Sequence, residues 1–147
     1  MKQRDSGEIQ ILIQSALEAA QVAYAPYSGY RVGAALLSAD GTVYTGCNVE
    51  CASFSLTNCA ERTAVFHAVG CGQRAFSALA VAALPPEGAA PSYCVPCGAC
   101  RQVLREFCPG EFPIICIKNK NEYKVYTLEE LLPESFAADS FTEAPRP

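Results

Sequence analysis

No apolar run in this chain is long enough to cross a bilayer; the longest, Ala78 to Leu84, has the length of a strand. The first residues, Met1 to Gln10, are polar and hold no apolar signal core. Basic residues are also scarce. There are 11 Lys and Arg against 15 Asp and Glu, a net charge of −4, and the cations are scattered rather than gathered in a stripe. Tight polynucleotide binding depends on neutralising phosphates, so a small neutral substrate fits this charge better. Neither an internal repeat nor a linker interrupts the 147 residues, which suit one domain spanning 1–147, with a polar tail from about 137. Nine cysteines without a secretory signal argue against a complete disulfide framework. A reducing, cytoplasmic setting is therefore expected, without membrane contact.

What the chain does hold is a particular set of thiols. Cys59-Ala60-Glu61 stands roughly forty residues before Pro96-Cys97-Gly98-Ala99-Cys100. A CxxC alone would suit a redox pair or half of a structural zinc knuckle. A third thiol with a carboxylate two positions on, and a proline ahead of the CxxC, resembles the pattern of zinc nucleobase and nucleoside deaminases in an all-cysteine form. Three protein ligands, Cys59, Cys97 and Cys100, leave one position of a tetrahedral Zn²⁺ open for water, whereas a structural site closes with four. Closure by Cys94 or Cys108 would leave Glu61 without a purpose. Glu61 is beside a ligand without being one, the place of a general base that then serves as general acid. Cys47, Cys71, Cys108 and Cys116 lack metal-like spacing, and most of them read as small core or half-buried residues.

Three thiolates against one dication leave excess negative charge. Arg62 is one helical turn from Cys59 and suited to donate hydrogen bonds to sulfur. Both cysteine segments open predicted helices, from Asn58 to Val69 and from Gly98 to Phe107, where the free N–H groups and the dipole favour thiolates.

Apolar periodicity predicts a first helix, with Ile9, Ile13, Ala16 and Ala20 on one face, Asp5 and Glu8 as a capping box, and Pro26 as its end. Strands are expected at Tyr30–Leu37 and Thr42–Cys47 around an Asp40-Gly41 turn, at Ala78–Leu84, at Pro113–Ile117 and at Tyr123–Tyr126. A short helix follows from Thr127 to Leu132. This order implies an α/β fold, a three-layer α/β/α arrangement with a mixed five-stranded sheet, and converging N-termini for the two cysteine helices.

From about Ala23 to Phe136 the chain resembles the cytidine deaminase family, in its small, homotetrameric, three-cysteine branch. The segments that carry the likeness are Tyr27-Ser28-Gly29-Tyr30-Arg31-Val32-Gly33-Ala34-Ala35-Leu36, Thr45-Gly46-Cys47-Asn48-Val49-Glu50, Cys59-Ala60-Glu61-Arg62-Thr63-Ala64, Pro96 to Gln102, and Leu131-Leu132-Pro133. The resemblance implies hydrolytic deamination of cytidine and 2′-deoxycytidine and one zinc per chain. It implies that Asn48 and Glu50 bind the ribose 3′-hydroxyl, that the Ala60 backbone meets the pyrimidine edge and that the Tyr30 ring packs on the base. Phe136 would line a neighbouring chain's site, so that a homotetramer shares its sites between subunits. The chain departs from the family at Tyr30, usually Phe, at Cys51 and Phe54, and at Glu134-Ser135, where Gly-Ala is common. Blasticidin-type deamination, polynucleotide editing, a non-catalytic zinc domain and a Cys97/Cys100 redox protein are the rival functions.

Overall fold

The computed structural model describes residues 6–141. A first helix, α1 (Ser6–Gln21), leads into the hairpin β1 (Arg31–Ser38) and β2 (Val43–Cys47). Then come a 3-10 turn at Phe54–Leu56, α2 (Ala60–Gly70), β3 (Phe76–Leu84), α3 (Gly98–Phe107), β4 (Pro113–Asn119), β5 (Glu122–Thr127) and α4 (Leu128–Leu131). The five strands form one mixed sheet in the order β2-β1-β3-β4-β5. Only β3 and β4, joined across α3, run parallel; the other neighbours are antiparallel.

Alternation along the strands divides the core into two layers. Ala78, Ala80 and Ala82 of β3 with Ile115 and Ile117 of β4 pack against Leu12, Ile13 and Ala16 of α1. Leu79, Val81 and Ala83 with Ile114 and Cys116 face Ala64, Val65 and Ala68 of α2 and Leu104 of α3. The three-layer expectation holds, and β3 is buried on both faces as its continuous apolar run predicts. Small residues set the layer spacing. A side chain at Gly33 would strike the backbone of Ala16 and Ala20, and one at Gly46 the backbone of Ala60 and Ala64.

Several boundaries differ from expectation. Helix α1 ends at Gln21, well ahead of Pro26. Tertiary pairing ends it, because Tyr24 bridges to Val49, with its N–H donating to Asn48 O at 3.1 Å. The Asp5 half of the expected capping box lies outside the described residues. A box does occur at α4, where Glu130 N–H donates to Thr127 Oγ1 and Thr127 N–H to Glu130 Oε2. The 3-10 turn at Phe54–Leu56 and another at Ala138–Ser140 were not foreseen, the second within the expected loose tail, whose residues from 142 lie outside the described range. Cys108 and Cys116 are buried and Cys47 half-buried, whereas Cys71 is exposed.

The start of β1 and the ends of β2 and β3 meet at one edge of the fold. Arg31 pairs with Leu84, and Gly33 lies opposite both Ala82 and Cys47. The chain leaves β2 and β3 there to begin α2 and α3.

Candidate active site

Cys59 and Cys97 hold equivalent positions, each the extended N-cap of a helix, with φ/ψ of −75°/155° and −66°/164°. Their carbonyls accept the first helical bonds, from Thr63 N and Arg101 N, both at 3.0 Å. Their side chains make no cap bond and turn instead to each other. Cys59 Sγ lies 3.8 Å from Cys97 Sγ, and Cys97 Sγ lies 3.5 Å from Cys100 Sγ in the first turn of α3. All three sulfurs fall within 4.8 Å of one another, and among the described residues no other cysteine, histidine or carboxylate joins them. Thiolates about 2.3 Å from a tetrahedral zinc stand about 3.8 Å apart, so this donor set fits the ion. Cys94 and Cys108, weighed above as a fourth ligand, stand outside the group.

Charge around the sulfurs is arranged as the sequence predicts. Arg62 Nη2 donates to Cys59 Sγ at 3.3 Å, while its Nε is buried without a protein partner. A hydrogen bond from Cys100 and then the Arg62 guanidinium lower the Cys59 thiol to about 5. Donating that bond raises the Cys100 thiol well above its ordinary value. A metal bound here would take the place of the protons that these thiols carry. Glu61, the second residue of α2, is 4% exposed, and burial raises its carboxyl to about 7. Arg101 fixes the second ligand loop, donating from Nε to Pro96 O and from Nη1 to Leu131 O, both at 2.7 Å.

Val49 bridges on one side to Tyr24 and on the other to Asn58, which lays Asn48-Val49-Glu50 alongside the approach to Cys59. The Asn48 amide is largely engaged by the main chain. Its Oδ1 accepts from Val32 N at 2.7 Å and its Nδ2 donates to Tyr30 O at 2.9 Å. One N–H and one Oδ1 lone pair of that amide lie beyond these two bonds. Glu50 Oε1 accepts from the amides of Tyr27 and Ser28 at 3.1 and 3.2 Å. Burial opposes its ionisation, but those amides outweigh it and hold the carboxyl below its ordinary value. Ala60 is fully buried at the start of α2. Tyr30 is partly exposed at the start of the hairpin, and burial raises its hydroxyl above its ordinary value.

Phe136 stands apart from these residues. It is 61% exposed and makes an edge-to-face contact with Phe141 at 5.4 Å. Its segment is tied to α3, because Gln102 Nε2 donates to Phe136 O at 2.9 Å and Arg105 Nε to Ser135 Oγ at 3.0 Å. Glu134 takes a positive φ of 50°, the left-handed conformation that glycine adopts without cost. The departure at 134 thus keeps the backbone turn and gives up the residue best suited to it. Cys51 Sγ lies 3.8 Å from Leu56 O, within the loop that holds the 3-10 turn.

Residues 7–116 match the family described as "Cytidine and deoxycytidylate deaminase zinc-binding region". A cytidine deaminase of Sporosarcina psychrophila is 47% identical over 137 residues, covering 93% of this chain and 97% of the relative. One from Halalkalibacterium halodurans is 45% identical over 134 residues, covering 91% and 98%. The crystal structure of cytidine deaminase from Burkholderia pseudomallei superposes with a TM-score of 0.77 at 44% identity, over 86% of this chain and 97% of that one.

Proposed function

Since the chain belongs to the cytidine and deoxycytidylate deaminase zinc-binding family, we propose how its residues divide the work of hydrolytic cytidine deamination. The protein is an enzyme with zinc as cofactor, and it converts cytidine and water to uridine and ammonia. The observation that carries this conclusion is the set of three sulfurs, a count that leaves a tetrahedral zinc open, beside a buried carboxylate that is not one of them. A bound zinc supplies water acidified towards neutrality.

Cys59, Cys97 and Cys100 would hold one metal ion per chain. Arg62 spreads the thiolate charge through its bond to Cys59. Glu61 moves the protons. It takes one from the attacking water and gives it to the ring nitrogen, then takes the second from the hydroxyl so formed and delivers it to the departing amine. The Ala60 backbone meets the pyrimidine edge, and the Tyr30 ring packs on its face. Asn48 and Glu50 hold the ribose 3′-hydroxyl, so a free nucleoside rather than a polynucleotide is bound, and 2′-deoxycytidine is accepted with cytidine. Phe136 lines the site of a neighbouring subunit in a homotetramer. The setting is the cytoplasm, where the reaction serves pyrimidine salvage. Among the described residues no helix is long and apolar enough to cross a membrane.

Ammonia release from cytidine, assayed beside metal analysis, tests this function. One zinc per chain and stoichiometric ammonia are expected. Zinc without turnover would indicate a structural metal module, and turnover unaffected by chelation would remove the thiol cluster from the chemistry.

A further inference from the structure

We propose that Arg101 is a positioning residue for the metal centre: its backbone and side chain grip both peptide units that flank Cys97 and so aim that sulfur before a metal arrives. This rests on the zinc-dependent function proposed above and deepens it. The three thiols are held unequally. Cys100 is buried within the first turn of α3 and Cys59 is half-buried, whereas Cys97 is exposed. Packing therefore does little to orient the Cys97 side chain, and the task falls to its main chain. Around Cys59 the two flanking peptides have separate holders. Asn58 O accepts from Val49 N–H at 3.0 Å, and Cys59 O accepts from Thr63 N–H at 3.0 Å and from Thr63 Oγ1 at 3.1 Å. Around Cys97 one residue holds both. Arg101 N–H donates to Cys97 O at 3.0 Å, which sets ψ, and Arg101 Nε donates to Pro96 O at 2.7 Å, which sets φ. Together they keep Cys97 at −66°/164°, the extended N-cap from which its sulfur turns to Cys59 and Cys100.

The guanidinium can do this because its far end is fixed. Arg101 Nη1 donates to Leu131 O at 2.7 Å, one of the carbonyls that the end of α4 leaves without a helical partner. Helix α4 is seated independently, with Leu128 fully buried and its N–H on Phe112 O at 2.9 Å. Two donors of one rigid fork thus span the ligand loop and α4, which the point charge of a lysine does not match. A side chain that orients a metal ligand raises metal affinity, because the ordering of that ligand is completed in folding rather than on binding. A Cys97 released from Arg101 would have to be ordered by the metal itself.

The test compares zinc affinity, read by competition with a chromophoric chelator, in the parent, Arg101→Met, Arg101→Lys and Gln102→Ala. Arg101→Met keeps the stem and loses both side-chain donors, and its zinc affinity is expected to fall about 10- to 100-fold. Arg101→Lys keeps the charge without the fork and should stay well below the parent. Gln102→Ala cuts the neighbouring tie from α3 to Phe136 O and leaves Pro96 O untouched, so its zinc affinity should match the parent's. The visible bands of the cobalt-loaded protein, which report the geometry of the donor set, should shift in Arg101→Met and hold in Gln102→Ala. Either Arg101 variant binding zinc as tightly as the parent overturns the proposal, even where its melting temperature falls, because the role is then one of fold alone. Gln102→Ala losing as much affinity as Arg101→Met overturns it too. Should Arg101→Met fail to fold, Arg101→Lys decides by the same criterion. If the parent binds zinc but releases no ammonia from cytidine, the deaminase function fails while the affinities still decide the role of Arg101; a parent that binds no zinc overturns both.

Discussion

Glu61 sits where a proton carrier is needed, at the second position of a helix whose N-cap is a metal-binding thiol, and almost fully out of water. Glu61→Gln keeps size and polarity but cannot carry a proton. Folding and zinc content are expected to persist, with activity falling by about 10² to 10⁴-fold or more, since several proton transfers pass through one group. Steady-state kinetics with metal analysis check this, and a variant within a few-fold of the parent would remove Glu61 from the mechanism. Much of the residue scale was legible in the sequence. Metal ligands on helix starts must recur at short fixed spacings, so Cys59, Cys97 and Cys100 stand out, as do Glu61 and Arg62 in the first turn after Cys59. The structural role of Asn48 was not legible in the same way. Its amide clamps the backbone of Tyr30 and Val32, contacts made by a chain crossing that leaves no periodic trace.

At the scale of elements, the position of the ligands is inherited from the packing of α2 on the hairpin. Gly46 lies in β2 directly beneath the backbone of Ala60 and Ala64, so α2 is seated by a missing side chain. Gly46→Ala forces the helix outward, with a cost of about 1–3 kcal/mol typical of overpacking. Because Cys59 and Glu61 move with that helix, zinc affinity and activity should fall along with melting temperature. An unchanged melting temperature would show that the sheet yields instead. The hairpin turn offers an electrostatic counterpart. Asp40 accepts from Ser38 Oγ, from Thr42 N at 2.9 Å and from Gln73 Nε2 at 2.8 Å. The Ser38 bond first, then those from Thr42, lower its carboxyl from 3.8 to about 2. A folded-state value below the unfolded one stabilises the protein above the unfolded value and is lost as pH falls through the folded one. The stability gap between parent and Asp40→Ala should thus be constant above about pH 4 and close towards pH 2, as read by denaturant unfolding. A gap that widens on acidification would contradict this sign. Strands and main helices were legible from apolar periodicity, and the Asp40-Gly41 turn from its residue types. The end of α1 was not, because the Tyr24–Val49 bridge ends it before Pro26 has any part.

Among the described residues, several large apolar side chains lie on the molecular surface. Val22, Phe54, Leu56, Phe136 and Phe141 are all more than half exposed. Such residues cluster at interfaces, where aromatic side chains supply much of the buried contact. Phe136 illustrates why. Three α3 side chains, Arg101, Gln102 and Arg105, hold its segment against the helix that carries Cys100, and the ring still projects outward. That combination of a held segment and an exposed ring is what the proposed contact with a neighbouring chain requires. Light scattering is expected to give four chains per particle. Phe136→Ala should raise KM and weaken assembly. Assembly also gives a sharper test, because the proposed shared site would draw Glu61 from one chain and Phe136 from another. Mixing Glu61→Gln chains with strongly impaired Phe136→Ala chains, then dissociating and reassembling them, should restore activity in sites pairing the intact Glu61 of one chain with the intact Phe136 of its neighbour. Two variants in one chain, mixed with an inactive Glu61→Gln partner, should restore none. A monomer with full activity, or mixtures no more active than their components, would place Phe136 outside the site.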